Sequence, residues 1–232
     1  MNAFDKAIIE FVNQYSQQSV IIDKAAYVIA QNHLLKGGVI VTLLWWSWLH
    51  QSGQLIDRSF TAVYTMTGAM VSIVVARVLQ NNLPYRPRPV FAHYVNFVVP
   101  EGFDPTLIDS LNSFPSDHAV LFFALSTALW LVDRRVGLFA YVWTTLVICV
   151  PRIFLGYHHP TDIIAGAVIG IAIMVGVNRI PVPAGACLRA TDFQARHAGI
   201  LYAGAFLLTF QMATLFESVR RLGSAVMKAV AL

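Results

Sequence analysis

Apolar residues run along this chain in blocks of 16 to 25, separated by short polar joints. A water-soluble fold would instead alternate or stripe them at helical spacing. Six blocks approach the length needed to cross about 30 Å of hydrocarbon: residues 35–50, 59–83, 118–133, 136–157, 161–178 and 198–216. All are predicted to be helices, because a backbone in lipid must satisfy its own hydrogen bonds. The expected fold class is therefore all-α, a polytopic transmembrane helix bundle of about six spans. A seventh stretch, 19–34, is apolar but interrupted by Asp23, Lys24, Gln31, Asn32 and His33. It either spans against the other helices or lies at the interface. Upstream, Phe4, Ile8, Phe11 and Val12 recur at helical spacing. They predict an amphipathic helix, lying on the membrane surface or packed on the bundle.

Two joints break the pattern. The longer, 84–116, opens with a Pro/Arg run, continues through His93, Tyr94, Phe97 and Phe103, and reads as a lid. Within it Asp104 and Pro105 predict the cap and first position of a short helix. The other, 179–197, holds Pro181, Pro183, Gly185, Arg179, Arg189 and Arg196 and reads as a polar loop. The expected organisation is thus an amphipathic, interfacial or extra membrane segment over 1–34, a core over 35–178, the loop 179–197, and a membrane helix and tail over 198–232.

Composition agrees with a membrane protein: 57% of residues are hydrophobic and 12% charged, with a mean hydropathy of +0.62. The net charge of +4 does not imply a nucleic-acid partner, since the basic residues are not gathered into a stripe with interleaved aromatics. They cluster at block ends. Cys149 lies in an apolar block and Cys187 in a polar joint, so no disulfide framework is implied. The amino terminus shows no compact apolar run before a small-residue cleavage site. Alternation of the blocks puts Arg58, Arg134, Arg135, Arg179, Arg189 and Arg196 on one side, which the positive-inside rule makes cytoplasmic. Arg220, Arg221 and Lys228 would fall opposite if 198–216 crosses fully.

Three strings share that opposite, external side: Arg77-x8-Arg86-Pro87-Arg88-Pro89, Pro115-Ser116-Asp117-His118 and Arg152-x5-His158-x3-Asp162. Ionisable groups near a bilayer are costly unless they pair or bind something. Arginines gathered around two histidines call for an anion. Pro115-Ser116-Asp117-His118 opens a helix, where the amides of Ser116, Asp117 and His118 and the Ser116 hydroxyl are placed to donate to phosphate. Ser116 is equally an ordinary helix cap and Asp117 an ordinary first-turn acid. Asp162, one turn from His158, is placed to accept its second ring N–H and fix the tautomer; alternatively His158, His159 and Asp162 simply cap a helix. Prolines stiffen the first string so that Arg88 can fork onto phosphate oxygens. Arg77 and Arg86 could join it or snorkel to headgroups.

In order and spacing these strings resemble the type 2 phosphatidic acid phosphatase family over about residues 59–178. That family shares its phosphate site with vanadium haloperoxidases and bacterial acid phosphatases, and its pattern is a basic residue then Arg-Pro, Pro-Ser-Gly-His, and Ser-Arg-x5-His-x3-Asp. The resemblance implies that His158 is the nucleophile, Asp162 its partner and His118 the acid/base. It implies that Arg88, Arg152, Ser116 and the Asp117 amide hold phosphate. The chain departs from the pattern at three points. The family's first lysine would fall at Asn81, with Arg77 one turn earlier; Asp117 replaces glycine; and Pro151 replaces serine.

The implied activity is hydrolysis of a lipid phosphate or diphosphate through a phosphohistidine, with undecaprenyl diphosphate the leading substrate. Phosphatidic acid, phosphatidylglycerophosphate and lipid A phosphates follow. Arginines would supply the electrostatics usually given to a metal, so neither metal nor cofactor is expected. The implied location is a bacterial inner membrane with the site facing the periplasm or exterior. A phosphotransferase would use the same intermediate and pass the phosphoryl group to another lipid. A transporter would need its charges at mid-span rather than at block ends.

Overall fold

The computed structural model describes residues 2–50, 55–92, 96–107, 112–181, 184–217, 219, 222 and 223. His93, Tyr94, Pro183 and the tail charges Arg220, Arg221 and Lys228 lie outside them. Every regular element among the described residues is helical. In chain order these are α1 (Ala3–Asn13), α2 (Val20–Gln31), α3 (Val39–His50), α4 (Leu55–Asn82), α5 (Asp117–Val132), α6 (Arg134–Trp143), α7 (Val150–Phe154), α8 (Pro160–Asn178) and α9 (Ala184–Ala213). A π-helical turn, Leu34–Gly38, leads into α3, and another, Thr144–Cys149, joins α6 to α7.

Among the described residues three helices are long and apolar enough to cross a bilayer: Thr61–Asn82, Arg134–Phe154 and Pro160–Asn178. A fourth crossing follows if α2 and the Leu34–His50 stretch, bent by 62° at their junction, are taken as one broken span. α5 has only 16 residues, or about 24 Å at the α-helical rise. It is the central strut of the bundle. Leu121, Phe122, Leu125 and Leu129 are fully buried on it and meet Ile40, Leu44, Ala69, Ile148 and Met212 from the elements around it.

Two glycines let α8 lie directly on α5. A Cβ on Gly170 would stand 2.1 Å from the Val120 carbonyl oxygen, and one on Gly166 2.8 Å from that of Ser116. Backbone contact at those points puts the two helix amino termini side by side, and the Ser116 amide donates to the Asp162 carbonyl at 3.2 Å.

Elsewhere the architecture differs from expectation. The stretch 179–197 is not an extended polar loop, because α9 is helical from Ala184; its one non-helical residue, His197, marks a kink joining two helices. Within 19–34, Asp23 is a tether for the long connection. Asp23, fully buried, accepts N–H bonds from Gln17 at 3.0 Å and Glu101 at 2.8 Å. Asn13 on α1 pairs with both backbone groups of Val98, at 2.8 Å each. Phe103 then packs between Tyr27 and Tyr157. Its predicted short helix is a 3-10 turn, Pro105–Leu107, with Asp104 accepting from the Thr106 amide and hydroxyl.

Candidate active site

His158 stands in the turn between α7 and α8, and the Arg152 carbonyl builds that turn by accepting from the amides of Tyr157 and His158. Gly156 makes the reversal possible with a φ of +70°, a conformation side chains resist. Its carbonyl also receives the Val90 amide, which docks the Pro/Arg run against the turn.

The His158 ring is buried, and its Nδ1 lies 2.9 Å from the Ser113 carbonyl oxygen. A carbonyl only accepts, so Nδ1 carries the proton and Nε2 the lone pair. Burial first, then the neighbouring Arg88 charge, push the ring from its ordinary value of 6.5 down to about 4. It is a neutral imidazole at physiological pH. Arg88, Arg152 and Asp117 all lie within electrostatic reach of it.

The expected His158–Asp162 hydrogen bond is replaced by a relay through Ser113. Asp162 Oδ2 is 3.9 Å from His158 Nδ1, beyond hydrogen-bond range. That oxygen accepts instead from Ser113 Oγ at 2.6 Å, the His159 amide at 2.8 Å and His159 Nδ1 at 3.1 Å. Ser113 thus touches the carboxylate with its hydroxyl and His158 with its carbonyl. His159 is fully buried on the same carboxylate.

Arg86 turns away from a phosphate role. Its guanidinium grips Asp162 Oδ1, Thr161 Oγ1 at 2.9 Å and Asp5 Oδ2 at 2.6 Å. Asp5, fully buried, also accepts from the Thr161 amide and hydroxyl. The amino-terminal helix is therefore bolted to the back of the site. Arg88 points the other way along the run, with Nη1 3.4 Å from the Tyr157 carbonyl. Arg152 is buried and donates to the Ile148 carbonyl at 3.0 Å, so it reaches His158 and Asp117 electrostatically from the α7 side.

The start of α5 is less open than three free amides. Ser116 N donates to the Asp162 carbonyl, its hydroxyl caps Ala119 at 3.4 Å, and His118 N donates to Asp117 Oδ1 at 2.8 Å. Of the three N–H groups expected to cradle phosphate, that of Asp117 is the one for which the described residues supply no acceptor. Asp117 Oδ1 also meets His118 Nδ1 at 2.9 Å, while Oδ2 takes Arg77 Nη2 at 2.8 Å. Arg77 Nη1 holds Gln80 Oε1 at 3.0 Å, and Gln80 Nε2 donates to the Pro115 carbonyl at 2.8 Å.

Sequence reading missed four contributors: Asp5, Gln80, Asn112 and Ser113. Asn112 accepts from the amides of Arg86 and Phe114 and donates to carbonyls at the end of α4. The polar pair Asn112-Ser113 just ahead of Pro115 was a usable signal; nothing local marks Asp5.

Comparison with known proteins bears on these residues. The sequence model of the PAP2 superfamily matches residues 59–186, more than half of the chain. The bacitracin transport permease protein BcrC of Bacillus licheniformis is 25% identical over 166 residues, covering 69% of this chain and 72% of that protein. The undecaprenyl-diphosphatase BcrC of Bacillus subtilis strain 168 is 24% identical over 166 residues, covering 72% and 78%. The crystal structure of Aquifex aeolicus LpxE superposes with a TM-score of 0.54 at 18% identity, over 77% of this chain and 97% of that one. The last similarity is one of fold.

Proposed function

The chain belongs to the PAP2 superfamily, and on that premise we propose that it is an integral-membrane lipid phosphatase working through a phosphohistidine on His158. The observation that carries this reading is the Ser113 carbonyl at His158 Nδ1, which supports an unprotonated Nε2 beside Arg88 and Arg152. His158 Nε2 attacks phosphorus as the bond to the leaving oxygen breaks and His118 gives that oxygen a proton. His118 then takes a proton from water; the water oxygen bonds to phosphorus, the N–P bond breaks and phosphate leaves. Arg88, Arg152, the Ser116 hydroxyl and the Asp117 amide neutralise the equatorial oxygens without a metal. Asp162 orients the nucleophile through Ser113.

Undecaprenyl diphosphate is the first substrate to test, because a relative covering most of this chain bears that activity in its name. The proposed topology has six crossings, with the three strings at the external face and Arg134 and Arg135 at the cytoplasmic one. Purified protein in lipid should release phosphate from undecaprenyl diphosphate faster than from phosphatidic acid or phosphatidylglycerophosphate. Excess EDTA should leave the rate unchanged, and His158→Ala should abolish it. Chelation that stops turnover, with magnesium restoring it, would overturn the metal-free scheme.

A further inference from the structure

Two departures from the family pattern meet each other. Arg77 stands one turn before the position of the usual lysine, Asp117 stands where glycine is usual, and the two side chains form an ion pair at 2.8 Å across 40 residues of sequence. A lone carboxylate beside a phosphate site would repel its ligand. This one is neutralised on Oδ2 by Arg77 and spends Oδ1 on His118, holding both its amide and its ring Nδ1. A carboxylate at Nδ1 can only accept, which fixes the ring proton there and leaves Nε2 to face the leaving oxygen. Gln80 closes the assembly, joining Arg77 to the Pro115 carbonyl at the start of the same motif. His118 is further framed by Phe122 at 6.3 Å between ring centres and by the charges of Arg152 and Lys36 within electrostatic reach.

We infer that Asp117 and Arg77 are paired positioning residues: Asp117 orients and electrostatically supports His118 as acid and base, and Arg77 holds Asp117 rather than the substrate phosphate. The inference rests on the phosphatase reading above. During transfer the His118 proton moves from Nε2 to the leaving oxygen and is regained from water, while Nδ1–H stays on Asp117 throughout. The carboxylate stabilises the imidazolium form that stands before the first half-reaction and after the second.

The test compares kcat and KM of Arg77→Ala, Arg77→Lys, Asp117→Asn and the Arg77→Ala/Asp117→Asn double variant on two substrates. One is a lipid monophosphate, whose alkoxide leaving group needs a proton, and the other is p-nitrophenyl phosphate, whose phenolate does not. Arg77→Ala and Asp117→Asn should each lower kcat on the lipid by about tenfold or more with KM within about twofold, and spare p-nitrophenyl phosphate. Arg77→Lys, which keeps a cation on Asp117, should stay within about threefold of the parent. The double variant should be scarcely worse than Asp117→Asn alone, because both act through one hydrogen bond. A rise in KM for Arg77→Ala with equal losses on both substrates, or additive losses in the double variant, would make Arg77 a phosphate ligand and overturn the inference. His158→Ala run alongside separates the two levels: if it retains turnover, the phosphohistidine reading of His158 fails, whatever the other variants do.

Discussion

At the residue scale the site is governed by which acceptor holds which ring. His158 is held by a carbonyl and His118 by a carboxylate, which suits a neutral nucleophile on one side and a proton donor on the other. Because burial and Arg88 push His158 down to about 4, the acid limb of kcat/KM should have its midpoint near pH 4 once substrate ionisation is divided out. A midpoint near 6.5 would contradict the assignment. The same shift sets a stability slope: between about 4 and 6.5 the unfolded chain holds a proton on His158 that the folded one lacks, so stability falls as pH falls through that window and is unaffected above it. Arg86→Ala should act mainly on stability. It strips a cation from Asp5 and Asp162, both fully buried, and loss of one partner of a buried pair costs about 3–5 kcal/mol. Denaturant titration in lipid mimetics would detect this, and unchanged stability would refute it. The sequence already announced His118, His158 and Arg152 through spacing. It hid the Arg77–Asp117 pair, since read singly one departure looks like a displaced phosphate donor and the other like an added negative charge; opposite charge at two departures of one pattern was the available signal.

At the element scale, α1 and α2 act as a brace for the long connection. The Asp23 carboxylate ties Gln17 to Glu101, so Asp23→Ala leaves two amides seeking new acceptors, at about 1–3 kcal/mol. Amide hydrogen exchange over 96–104 should quicken by about tenfold or more while α5, buried at the centre, stays protected. Equal exchange in parent and variant would show that the brace has no hold on the lid. Helices lie at all six predicted blocks, and those of 59–83, 136–157 and 161–178 pass as spans in close to the predicted bounds. Hydrophobicity was sufficient for them because lipid imposes a single solution on an apolar stretch of that length. It was insufficient for 19–34, where Asp23 serves a contact made to Glu101, 78 residues away. It was insufficient also for 179–197, where helix continues from Ala184 through residues that read as a joint.

At the scale of the whole molecule, large apolar side chains such as Val63, Val74, Leu146, Val168 and Phe206 stand outward, the surface a bilayer solvates and water does not. The polar machinery is confined to one end of this greasy bundle, where α5 and α8 begin and α4 and α7 end. That placement is the one the proposed lipid substrate requires, with its phosphate at the interface. In the proposed mechanism one event is decisive: the phosphoryl group passes through His158 Nε2. Protein carrying His118→Ala, in which release of the intermediate by water lacks its base, should be mixed with undecaprenyl diphosphate labelled with 32P in the terminal phosphate, quenched in alkali and digested. The account predicts alkali-stable, acid-labile label on the peptide containing His158, and none when His158→Ala is added. Label on any other residue, or turnover that persists in His158→Ala, would contradict it.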